Sequence, residues 1–166
     1  MKTTIKILSL LFITFIISSC DKGEEMKTLP KNSINGDFLY QSSSKYYKSD
    51  GQFDRTVKSS GSIFIKANSS NSLINLEIKP IYGYIYNIKC TNIQQHGDTT
   101  TFSISRQEVH IDDQSFSVEG TKGINVGRFG MHDGYYISNK VYLQYRSINT
   151  TSFALTKTYI EATKGN

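Results

Sequence analysis

From Asn35 to Thr163 the chain alternates apolar and polar residues with a period of two. Ile63 and Ile65 share a face against Ser62, Phe64 and Lys66, and Ile74, Leu76 and Ile78 oppose Asn75, Glu77 and Lys79. Tyr84, Tyr86, Ile88 and Cys90 stand against Ile85, Asn87, Lys89 and Thr91, and Phe102 and Ile104 against Ser103 and Ser105. Phe116 with Val118, Ile124 with Val126, and Val141 with Leu143 and Tyr145 repeat the pattern. Successive side chains of a strand point to opposite faces, so this spacing predicts antiparallel strands packed on one side. Asp50-Gly51, Gly97-Asp98, Asp112-Asp113 and Asp133-Gly134 supply turn signals, with a longer loop at 67–71. The pattern predicts an all-β body of eight or nine strands over residues 35–163. Hairpin follows hairpin without long crossovers, which favours a single antiparallel up-and-down β-barrel; a β-sandwich is the alternative.

The first 34 residues are built differently. Lys2 and Lys6 precede an uncharged apolar stretch from Ile7 to Ile17. It is shorter than the ~20 residues of a membrane-spanning helix and suits the helical core of an export signal. Ile17-Ser18-Ser19-Cys20 follows, and this order of apolar, small, small and cysteine resembles the lipobox of bacterial lipoproteins. The resemblance implies that residues 1–19 are a lipoprotein signal peptide and that Cys20 becomes the lipidated N-terminus. Two or more acyl chains anchor a protein stably where one binds marginally. Residues 20–34 then form the lipidated cysteine and a flexible linker, in which 21–33 span at most ~45 Å. The acidic run Asp21-Lys22-Gly23-Glu24-Glu25 resembles an inner-membrane retention signal in some lineages and a surface-export signal in others. The expected location is the cell envelope, on the outer membrane, with exposure at the cell surface as a further expectation.

Composition narrows the partners. The full chain carries 19 basic and 14 acidic side chains, a formal net charge of +5, and cleavage of the signal removes Lys2 and Lys6. The densest basic group is Lys45-Tyr46-Tyr47-Lys48, with no run of three, so no nucleic-acid footprint is evident. With Cys20 acylated, Cys90 is the only thiol left, which excludes an intrachain disulfide and a cysteine zinc site. The core must therefore hold the fold, and all eleven Tyr and seven of the nine Phe remain available to it after residue 19.

Gly36-Asp37-Phe38 opens the first strand and is similar to the Gly-x-Trp signature of lipocalins and other calycin barrels, with Phe in the place of Trp. The segment from Asp133-Gly134 through Asn139-Lys140 to Leu143 resembles the late strands of small lipocalin-like bacterial lipoproteins. The resemblance covers residues 35–163 and implies a lipocalin-like β-barrel. In calycins the early aromatic packs beside a basic residue from a late strand, a role that Arg146 or Lys157 could fill.

His96, His110 and His132 each lie near an aspartate (Asp98, Asp112 and Asp133), but none has a ligand or triad spacing; His96 and His132 fall in predicted turns. There is no Gly-x-Ser-x-Gly elbow, and Gly120, Gly123, Gly127, Gly130 and Gly134 lack the strand-to-helix setting of a phosphate loop. No catalytic residue, metal ligand or cofactor is assigned. Cys90, mid-strand among apolar neighbours, reads as a buried small hydrophobe. The expected function is non-enzymatic binding of a small apolar or amphipathic ligand in the barrel. Its expected lining is Phe38, Tyr40, Tyr84, Tyr86, Phe102 and Tyr145. The alternatives are an interaction, structural or inhibitor module with a filled core that meets an envelope protein, and a hydrolase.

Overall fold

A computed structural model describes residues 34–165; the expected signal helix, Cys20 and the linker up to Ser33 lie outside the described residues. Residues from Ile34 onward form a compact unit with its own apolar core. The body is all-β. Its strands are β1 (Gly36–Tyr47), β2 (Phe53–Ala67), β3 (Ile74–Pro80), β4 (Tyr86–His96), β5 (Thr99–Ser103), β6 (Gln107–Ile111) and β7 (Gln114–Gly120). They continue with β8 (Ile124–Asn125), β9 (Met131–His132), β10 (Gly134–Ile137), β11 (Lys140–Asn149) and β12 (Leu155–Lys164). A single 3-10 turn, Gly127–Phe129, separates β8 from β9.

Ten strands form one antiparallel sheet in the order β10-β5-β4-β3-β2-β1-β12-β11-β7-β6, and β10 also pairs with β11. That second pairing gives the sheet its ring-like arrangement. The alternation read from the sequence selects the buried face: Ile74, Leu76 and Ile78 of β3, Ile88 and Cys90 of β4, and Val141, Leu143 and Tyr145 of β11 all turn inward. The ten-strand count exceeds the eight or nine expected because two runs are each broken in the middle. β5 and β6 follow one another in the same direction beside β4, β5 by backbone pairing and β6 through a side chain. β7 and β10 likewise follow one another along a single edge of β11, with residues 121–133 looping out between them.

Asp133 sits at the break. It is only 3% exposed, although Asp133-Gly134 reads as a turn signal in the sequence. Its Oδ2 accepts from the Ile104 amide at 2.9 Å and its Oδ1 from the Lys122 amide at 2.5 Å. A buried carboxylate is costly unless it is so satisfied. Gly120 leaves room for it, since a Cβ there would coincide with the Asp133 carboxyl group. The gap between β6 and β4 is closed by Gln107, whose amide accepts from Lys89 N at 2.9 Å and donates to Lys89 O at 2.8 Å. A side-chain amide thus replaces the backbone ladder that this pair lacks.

Strand direction separates two ends. The chain enters at Ile34, and this entry end carries the links 68–73, 97–98 and 138–139. The far end carries 48–52, 81–85, 112–113 and 150–154. Entry-end turns follow local chemistry: Ser138 and Asn139 both have positive φ, 48° and 65°, as a two-residue hairpin link of β10 to β11 requires.

Candidate functional site

The six residues expected to line a pocket divide into three groups. Phe38 and Phe102 are fully buried in the apolar core. Phe38 meets Tyr136 edge to face at 6.2 Å, and the Phe102 ring lies against Gly134, where a Cβ would collide with it. Tyr40, Tyr86 and Tyr145 gather nearer the far end. Tyr84 stands outside, 58% exposed, because β4 begins only at Tyr86 and the preceding residues form a loop.

Two of these three tyrosines belong to one hydroxyl chain and the third is bonded separately. Tyr86 and Tyr145 join hydroxyl to hydroxyl at 2.8 Å. Tyr145 also bonds Thr158, which meets Ser44 at 2.9 Å, and Tyr40 bonds Ser59. Burial pushes the Tyr145 phenol up to about 12. It drives Tyr86 well above the usual tyrosine range, reinforced by the neighbouring Tyr145, and raises Tyr40 as well. These phenols stay neutral at physiological pH, so they donate and accept hydrogen bonds without carrying charge.

The histidines have separate local roles. His96 ends β4 and stacks on Phe129 at 4.3 Å, and His132 lies in β9 and donates from Nε2 to Phe129 O at 2.7 Å. Both had been expected in turns. His110 of β6 pairs through Nδ1 with Ser115 Oγ at 2.9 Å. Among the described residues, no group of three His, Cys, Asp or Glu side chains could hold a metal ion. Cys90 is buried, and burial pushes its thiol far up, away from the low pKa that makes a thiol reactive.

The far end carries the features that period-two patterning had concealed. In the β3–β4 loop, Ile81, Tyr82, Tyr84 and Ile85 are all more than half exposed, Tyr82 at 91%. Tyr84 bonds the Asp112 carboxylate in the β6–β7 turn, which ties the loop to the neighbouring hairpin. Phe53 at the start of β2 and Phe153 in the 150–154 link are exposed at the same end. The signal that could have located the loop was Pro80 followed by Gly83: proline lacks a ladder donor, and Gly83 has φ 124°. The chain matches no protein-family profile and no curated protein sequence.

Proposed function

We propose that the chain is a lipid-anchored, non-enzymatic interaction module of the cell envelope, an up-and-down β-barrel with a filled interior whose outer surface does the binding. Taking β5 with β6 as one leg and β7 with β10 as another, eight legs follow one another around the ring in chain order, which supports the barrel. The lipobox-like Ile17-Ser18-Ser19-Cys20 supports the anchor and the outer-membrane address. The observation that carries the functional reading is the exposed Ile81–Ile85 loop at the end away from the chain entry. Apolar and aromatic side chains held in water are the usual mark of a contact surface. The aromatics of the interior, in contrast, pack within the core, and their hydroxyls have partners there, Tyr86 with Tyr145, Tyr40 with Ser59 and Tyr136 with Asn139. A surface module is therefore preferred to a carrier of a small apolar ligand.

Native mass spectrometry of residues 21–166, which contain the whole compact unit, tests this. After incubation with an envelope lipid extract, the expected result is the bare protein mass. A discrete small molecule that stays bound until denaturation would overturn the filled-interior reading.

A further inference from the structure

Strand register places Arg146 of β11, Lys157 of β12 and Lys45 of β1 directly opposite one another on the outer face. Directly opposed residues of an antiparallel pair hold their Cβ atoms roughly 4.5–5.5 Å apart, and like charges so placed repel. Arg146 is offset by an ion pair with Glu119, its register partner on β7. None of the ion pairs among the described residues involves Lys45, Lys157 or Lys58, which faces Ser43 on the next outward row. Lys45, Lys58 and Lys157 are all exposed. The Lys157 ammonium lies 5.5 Å from the centroid of the Tyr47 ring. The fold thus aligns Lys45 and Lys157 without carboxylate partners, and the Tyr47 ring offsets only part of their repulsion.

The same face continues into stacking and hydrogen-bonding groups. Beside the cation row the register runs Gln144, Tyr159, Ser43 and Lys58, and the next row runs Tyr142, Glu161, Gln41 and Ser60. Tyr142 stacks on Tyr135 at 4.7 Å. A groove of about 540 Å³ lies along Leu39, Gln41, Ser60, Ile81, Glu161 and Thr163.

We propose that the outer face of β11–β12–β1 binds an acidic polysaccharide, with Lys45, Lys157 and Lys58 meeting its anionic groups and Tyr159 stacking on a sugar ring. The proposal rests on the surface-binding reading and names the ligand class. An anionic chain supplies the charges that the row lacks. A sugar offers a C–H face to an aromatic ring and hydroxyls to an amide such as Gln41. A lipid surface would call for several apolar side chains between the cations, and here the register puts Thr56 and Ser43 beside Lys45 and Lys58, with Tyr159 as the one aromatic of those two rows.

Calorimetric titration of residues 21–166 with polygalacturonate, alongside neutral dextran and phosphatidylglycerol vesicles, decides it. Polygalacturonate is expected to bind, more weakly as salt rises, and dextran and the vesicles are not. Lys45→Gln and Lys157→Gln are each expected to weaken binding roughly fivefold, while the melting temperature holds or rises because repulsion is relieved. Loss of binding together with a lower melting temperature would make the lysines structural and overturn the proposal. So would absent polygalacturonate binding, equal binding to the vesicles, or unchanged affinity in the double variant. A bare native mass with no polygalacturonate binding sinks the ligand class alone, whereas an occupied interior sinks the surface reading.

Discussion

The two ends of the ring invert each other. At the entry end the links are polar, as in Asn68-Ser69-Ser70-Asn71-Ser72, Gly97-Asp98 and Ser138-Asn139, and the interior above them is apolar, with Ile65, Ile74, Cys90 and Phe38. At the far end the links 48–52 and 112–113 are polar too, but the β3–β4 loop exposes Ile81, Tyr82 and Ile85, with Phe53 and Phe153 exposed at the same end, and the interior holds hydroxyls from Tyr40, Tyr86, Tyr145 and Thr158. Hydrophobic burial accounts for most of the entry end, where Thr99 and Thr101 are the buried polar residues. It does not account for the apolar and aromatic side chains that the β3–β4 loop holds in water. These exposed side chains add nothing to the core, and the proposed contact surface rests on that difference between the two ends.

The sharpest way to break the comparison is to hollow the apolar interior. Phe102→Ala removes a fully buried ring and is expected to lower unfolding free energy by about 3–5 kcal/mol, read by denaturant melts. A loss under 1 kcal/mol would mean that this interior is loosely packed and the contrast between the ends is weaker than drawn.

Alkali probes the hydroxyl network. Tyr145 titrates near 12 in the folded chain against 10 for an ordinary tyrosine. The unfolded chain therefore loses this proton first as pH rises. The stabilisation is fully present below pH 10 and is lost between pH 10 and about 12, up to roughly 2–3 kcal/mol in all. Tyrosinate absorbance followed with thermal melts should show late-ionising phenols and falling stability over that window. Phenols that all ionise together near 10, without unfolding, would mean that the network is open to solvent.

The smallest stability effect is expected at the rim. Tyr82→Ser should change unfolding free energy by less than about 0.5 kcal/mol, since Tyr82 is almost wholly in water, and it should raise solubility at high protein concentration. A substantial loss of stability would show that the loop is part of the core's support rather than a contact surface.

Much of this architecture is legible along the chain. Alternation is a local property of a strand, so the inward set of Phe38, Ile63, Leu76, Ile88 and Val141 follows from period two alone, as do the turns at Asp50-Gly51, Gly97-Asp98 and Asp112-Asp113. The same rule misplaced Tyr84, because a loop after Pro80 keeps an alternating sequence without a partner strand to enforce the pleat. It also passed over β6, whose Gln-Glu-Val-His-Ile carries one buried residue.

The sequence by itself determined the all-β body, its inward face and the absence of a second thiol in the body to pair with Cys90, since each depends on residue type and spacing within a few positions. Only tertiary structure decided that Asp133 is buried under two amides and that Tyr86 and Tyr145 satisfy one another. It alone also aligned Arg146, Lys157 and Lys45 across three strands. Those facts depend on which strands pair and in what register, and register is set by bulges, turns and ring closure between residues as distant as Lys45 and Lys157.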